Sequence, residues 1–251
     1  MNELNRRTFT RHSLGSLLTF SMIETLCSHD LFAEKVKPIT AKWLTRINQL
    51  ALEVKDQQLL QTKWQEQVES LLGKVDLRDL LQLIDFDRLT KNLQYVDNGA
   101  RSIRFKFPDN SSLPSKVAFG KQIFALKKNR SVVPHGHNNM TTAFLVLKGT
   151  FHGRHYDRIE DLEDHFIIRP TIDRPFNPGE HSSISDVKDN IHWFKCTSNK
   201  GFLFNIHVND VTSDSNTLSR RVYLDPNGEK LSDGLVRAPR IRYKQAHQLY
   251  G

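Results

Sequence analysis

Residues 132–140 read VVPHGHNNM and set two imidazoles, His135 and His137, on either side of one glycine. On an extended strand, residues i and i+2 point to the same face, so both rings would enter the same space. A third histidine, His192, opens the run IHWFKC far along the chain. Three neutral imidazoles converging from two strands can bind one face of a metal ion and leave its other positions open. His181, in PGEH, competes with His192 for the third place. His152, His155 and His165 lie around GRHYDRIEDLEDH, where the acids suggest a solvated loop and turn and no metal.

A later run, FLFNIHV, alternates strictly. Asn205, His207 and Asn209 share one face, and Phe204, Ile206 and Val208 share the other. On that polar face His207 has the place of a hydrogen-bonded core histidine. Cys196 has the parity of His192 and Phe194, so all three should face inward. A buried cysteine is more often a small hydrophobe than a reactive thiol. Trp193 has the opposite parity and should pack under a helix.

Elements of two kinds must position these residues. Residues 39–94 have helical periodicity: Ile39, Trp43, Ile47, Leu50 and Val54, then Leu60, Trp64, Val68, Leu71 and Leu72, then Leu77, Leu80, Leu81 and Ile84. Gly73 is a stop signal and Asp76 an N-cap. From Ala100 onward the pattern changes to short alternating runs broken by Gly, Pro, Asn and Asp. SIRFKF, KVAFGKQIFAL, AFLVLK, TFHGRHY, HFIIRPTI, HSSISDV, IHWFKC, FLFNIHV and RRVYL are the candidate strands. That spacing favours an antiparallel sandwich or barrel over parallel units. The chain thus divides into a helical extension over 34–98 and a β-barrel domain over 99–251. With no linker rich in Pro or Gly between them, the helices should pack on the sheet.

The arrangement resembles the cupin superfamily, whose first motif is G(X)5HXH(X)3-4E(X)6G. His135 and His137 fill HXH, Asn129 stands in the first glycine position, Thr142 in the glutamate position and Gly149 in the last. Pro178, Gly179 and Glu180 open the second motif and His192 closes it, after a longer interval than the pattern has. The resemblance implies a mainly β fold, an antiparallel double-sheet jelly roll, and a mononuclear metal on His135, His137 and His192. Because Thr142 replaces the glutamate, the set is three histidines without a carboxylate. It leans towards Fe(II), with Zn, Cu, Ni or Mn open.

Within cupins this set resembles the thiol (cysteine) dioxygenases. That resemblance implies O2 and a small thiol or similar anion as substrates, and a supporting histidine that matches His207. The family's tyrosine on that strand would fall at Asn209. Its carboxylate-binding arginine matches Arg104, with Arg101 as rival. Asn205 and Cys196 complete the expected substrate-binding group. The alternative function is a cupin that binds a metal or small ligand without turnover.

Bulk properties narrow the partners. The chain has 251 residues, 38% hydrophobic and 25% charged, enough for a packed core. Its net charge is +8, but the basic residues are spread, which argues against nucleic acid and for a small anionic substrate or simply a solvated basic surface. No apolar run is long enough to span a membrane. Residues 1–33 resemble a twin-arginine export signal: Arg6 and Arg7, then Phe9, Arg11 and a weakly apolar stretch. Leu31 to Ala33 offers a cleavage site. That implies the twin-arginine export machinery as a partner and a periplasmic or exported location. The only cysteines are Cys27 and Cys196, so a disulfide-stapled scaffold is excluded once the signal leaves.

Overall fold

The computed structural model describes residues 42–107, 116–212 and 218–251. The export-signal expectation for residues 1–33 lies outside them. One compact unit spans Trp43–Gly251.

Among the described residues four helices come first: α1 over residues 42–55, α2 (Gln61–Leu72), α3 (Leu77–Leu83) and α4 (Phe86–Thr90). Their apolar stripes are the ones the spacing predicts, with Ile47, Leu50, Val54, Trp64, Val68 and Leu80 all buried. The Asp76 carboxylate accepts from the backbone N–H groups of Arg78 and Asp79 and so caps α3. The periodicity reads on unbroken past Ile84, but the helix does not. Asp85 adopts φ +53°, a left-handed conformation that closes α3 and turns the chain into α4. Among the described residues no helix is long and apolar enough to cross a membrane.

Twelve strands follow among the described residues: β1 (Arg101–Ile103), β2 (Gly120–Lys127), β3 (Ser131–Asn138), β4 (Met140–Lys148), β5 (Phe151–Asp161), β6 (His165–Phe176), β7 (His181–Ile184), β8 (Ile191–Cys196), β9 (Lys200–Asn209), β10 (Arg220–Leu224), β11 (Glu229–Lys230) and β12 (Val236–Ile241). A last helix, α5, covers Tyr243–Tyr250. One sheet runs β1-β2-β9-β4-β7 and the other β10-β3-β8-β5-β6-β12-β11. The central order β2-β9-β4-β7 opposite β3-β8-β5-β6, antiparallel throughout, is a double-sheet jelly roll. Asn129 (φ +65°) turns β2 into β3, and Gly149 (φ +75°) turns β4 into β5. A Cβ on Gly149 would stand 2.3 Å from the Lys200 carbonyl oxygen, so glycine is required there.

The central strands of the first sheet, β4 and β9, are buried on both faces, and this decides what their alternation means. Ala143, Leu145, Phe204, Ile206 and Val208 belong to one apolar cluster with Leu44, Ile47, Leu50, Trp64 and Val68 of the helices. Each such side chain contributes about 1.5–3 kcal/mol by burial, so the helical extension is part of the core. The opposite face of the sheet looks into the barrel. There Phe144, Val146 and Leu203 meet Phe151, Phe176 and Phe194 of the second sheet. The polar side of FLFNIHV is thus the interior side, because the helices take the apolar one.

Candidate metal centre

A single row crosses the inner face of the second sheet. Tyr223 on β10 is the register partner of His135 on β3, His135 of His192 on β8, and His192 of His155 on β5. His137 lies two residues past His135, on the same face. One ring nitrogen from each of His135, His137 and His192 lies within 4.8 Å of the others. Ring centroids are 4.2 Å apart for His135–His192, 5.0 Å for His135–His137 and 5.1 Å for His137–His192. All three are buried, at 4%, 2% and 1% exposure respectively.

Backbone and neighbouring side chains hold the rings. The Nδ1 of His135 lies 2.7 Å from the Val133 carbonyl oxygen, so this nitrogen carries the proton and Nε2 keeps its lone pair. The Nδ1 of His137 lies 3.3 Å from Oγ1 of Thr142. The residue that stands where the motif has a glutamate therefore orients a histidine. Asn190 clamps the strand: its Nδ2 donates to the carbonyls of His137 (2.8 Å) and Ser185 (2.9 Å), and its Oδ1 accepts from the His137 N–H (3.3 Å). Gly136 makes the clamp possible, since a Cβ there would stand 2.6 Å from Asn190 Oδ1. Partners of this kind typically account for ten- to a hundredfold in metal affinity. Asn190→Ala is accordingly expected to weaken zinc binding at least tenfold, read by competition against a chelator, with the fold retained.

The donor set fits a divalent transition metal. Burial pushes the His135 imidazole down to about 3 and those of His137 and His192 well below the usual histidine value. Neutral imidazole is the form that binds metals. Nε2 of His137 and Nδ1 of His192 are buried and have no hydrogen-bond partner among the described residues. Leaving such nitrogens unsatisfied costs about 1–3 kcal/mol each, which a metal–nitrogen bond would offset.

The histidines open on a cavity of about 290 Å³. Its first-sheet wall carries a polar chain in which Ser102 donates to Gln122 (2.5 Å) and Gln122 to Oδ1 of Asn205 (3.2 Å). Nδ1 of His207 lies 3.4 Å from that oxygen. Burial lowers the His207 pKa to about 4, so it faces the cavity neutral. Gly120 is its register partner, and a Cβ there would stand 2.0 Å from its Nε2.

The residues singled out by sequence fall into different places. Arg104 lines the cavity from just beyond β1, whereas Arg101 is not among the lining residues. Asn205 and His207 line it too. Cys196 does not: it is fully buried in the apolar cluster with Phe151 and Phe194, and burial raises its thiol pKa. His181 begins β7 and packs against Gly73 at the end of α2, away from the cluster, so His192 is the third member. Trp193 faces outward and meets Tyr250 of α5, with centroids 5.0 Å apart. His155 overturns the reading of a solvated loop. It is fully buried on β5, its Nε2 lies 3.3 Å from Ser182 Oγ, and its ring centroid is 6.4 Å from that of His192. The acids that suggested solvent belong to the far half of β5, whose exposure rises towards Asp161. His152 and His165 do lie at the surface, each against an aspartate.

The lining residues that went unnoticed in the sequence include Arg221, Tyr223 and Tyr243 at the mouth. Arg221 and Tyr223 sit two apart in RRVYL, and their shared parity was a usable signal. A tyrosine does reach the cavity, from β10, although Asn209 leaves β9 without one. Tyr243 on α5 had no signal, because only tertiary packing brings that helix beside β3 and β10.

The strand order and the clustered imidazoles define a class: a jelly-roll barrel of the cupin type with a candidate three-histidine metal site. No protein-family model matches the chain, and no curated protein matches it. Among solved structures, procruciferin, an 11S globulin from Brassica napus, aligns at 14% identity over 45% of this chain and 24% of its own, with a TM-score of 0.33. The TT1209 protein from Thermus thermophilus aligns at 13% identity over 50% of this chain and 94% of its own, with a TM-score of 0.36. A Klebsiella pneumoniae protein with a double-stranded β-helix domain aligns at 8% identity over 53% of this chain and 86% of its own, at 0.34. This chain thus spans about a quarter of the globulin's length. The fold assignment rests on the strand order.

Proposed function

We propose that this protein is a mononuclear non-haem iron oxygenase of the cupin type, acting on O2 and a small thiol or similar anion. Three buried neutral imidazoles open on a cavity that also holds two arginines, and that juxtaposition carries the reading. His135, His137 and His192 would hold the metal, with Fe(II) favoured and Zn, Cu, Ni or Mn as alternatives. When bound, the metal supplies the redox chemistry that oxygen insertion needs. The chain's own residues do the rest. Val133 and Thr142 fix the orientation of His135 and His137. Arg104 and Arg221 attract the substrate's anionic group, and among the described residues no Asp or Glu lines the cavity to oppose them. His207, Asn205 and Gln122 present a neutral polar wall that can orient a bound molecule by hydrogen bonds. Phe144 packs 4.8 Å from His192 and keeps the floor apolar, which excludes water from that side. Twin-arginine export to the periplasm belongs to the same reading and would deliver the protein already folded.

Metal analysis after anaerobic purification, followed by oxygen uptake with a panel of small thiols, tests this. The expected result is iron near one per chain and uptake on at least one thiol. Iron without uptake on any thiol rejects the thiol dioxygenase and leaves a metal-binding module. No metal retained, with no change in His137→Ala, rejects the site.

A further inference from the structure

Two observations at the cavity mouth converge. Arg221 is the register partner of His137, and Tyr223 that of His135, so both reach the mouth from beside the histidines. Neither Arg221 nor Arg104 takes part in an ion pair among the described residues. The Arg221 guanidinium lies near the Tyr223 hydroxyl, where its charge opposes the rise that burial gives the Tyr223 pKa, and it has N–H groups to offer. Both arginines also line an adjoining recess with His207 and Lys121, so the two guanidinium groups face one opening.

The apolar part of the mouth is largely aromatic. Tyr223 lies 5.7 Å from the His135 ring and 5.4 Å from Tyr243, edge to face. Tyr243 in turn contacts His247 at 4.4 Å and is left 57% exposed. A large aromatic side chain held at an opening and still exposed has a face to offer. Phe124 lines the same cavity from the first sheet. At about 290 Å³ the space is at the small end for ligand sites, which suits one ring with a short acidic group and excludes a peptide. A guanidinium fork matches a planar carboxylate in two parallel hydrogen bonds.

We propose that the cavity accepts a planar aromatic carboxylate, with its acid on Arg221 and Arg104 and its ring against Tyr223 and Tyr243. This narrows the anionic substrate of the proposed function and rests on that reading for the chemistry, but not for the binding. A bound aromatic acid would lie with its ring edge towards His135 and His137, because Arg221 and Tyr223 flank those residues in the sheet.

Titration calorimetry of the full-length protein with benzoate, cyclohexanecarboxylate and acetate tests this, with and without added metal. Benzoate is expected to bind about fivefold more tightly than cyclohexanecarboxylate, the factor that ring–ring contact supplies. Arg221→Gln should weaken benzoate tenfold or more, as loss of a charge-assisted pair does. Tyr243→Ala should remove the preference for the ring, and Tyr243→Phe should restore it, which separates a lost contact from a lost fold. Equal affinity for the two ring acids, unchanged benzoate affinity in Arg221→Gln, or no benzoate binding overturns the proposal. Benzoate binding by protein that never retains metal rejects the metal reading and keeps this one. Metal retention with no benzoate binding does the reverse.

Discussion

His137→Ala is expected to purify folded and without metal, whereas His152→Ala retains metal at the wild-type level. His137 is 2% exposed, and its Nε2 has no partner among the described residues. Removing one of three nitrogen donors leaves two, too few for a stable mononuclear site, so retention should fall below detection after dialysis. The fold should survive, because alanine in place of a ring facing a cavity leaves no buried polar atom behind except Thr142 Oγ1. His152 contacts Asp173 at the surface and is no part of the cluster. Elemental analysis of the two variants with circular dichroism decides the matter. Equal metal loss in both would show that the wrong histidines were chosen. Thr142→Val, which removes only the orienting hydroxyl, should weaken metal binding about tenfold without abolishing it.

The metal-free protein should be stable and insensitive to pH above about 6.5, and should lose stability steeply below it. Histidine in the unfolded chain titrates near 6.5. Burial holds His135 and His155 at about 3, and His137 and His192 well below the ordinary value. Above 6.5 both states are neutral at these sites and pH does nothing. Between 6.5 and about 3 the unfolded chain takes up protons that the folded chain refuses, so each histidine costs about 1.4 kcal/mol per pH unit. Four together cost on the order of 5 kcal/mol by pH 5.5, comparable with the whole stability of many domains, and His207, held at about 4, adds to the loss in the same direction. Urea unfolding from pH 7.5 to 5 should show this, and bound metal should oppose it, because metal and protons compete for the same nitrogens. His155→Phe should reduce the slope by one proton, whatever it does to absolute stability. A metal-free protein equally stable at pH 7.5 and pH 5 would sink the claim that these rings are buried neutral.

Local order in the chain carried a good deal of this. The i, i+2 spacing of His135 and His137 required a shared face, and the alternation in FLFNIHV required a polar face and an apolar one. By the resemblance, Thr142 in place of the motif's glutamate implied a donor set without a carboxylate. The apolar stripes of the helices were legible from residue 43 on, because 3.6-residue periodicity is a local property. Even the turn at Asn129 was readable, since asparagine tolerates the left-handed conformation it adopts.

Tertiary structure decided what periodicity leaves open. A period of two separates the faces of a strand but does not say which face is inside, and only the helices packed on Phe204, Ile206 and Val208 turned His207 inward. The choice of His192 over His181 depended on which strand pairs with β3, a contact between residues far apart in sequence. The pairing of β8 with β5 on its other edge put His155 in the buried row, against the local impression made by its acidic neighbours. Arg221, Tyr223 and Tyr243 come from the last part of the chain and reach the cavity because β10 pairs with β3 and α5 packs beside both. Residue types and their spacing are local and so determined the chemistry available to VVPHGHNNM. Strand pairing is long-range, and it alone determined the cavity into which that chemistry opens.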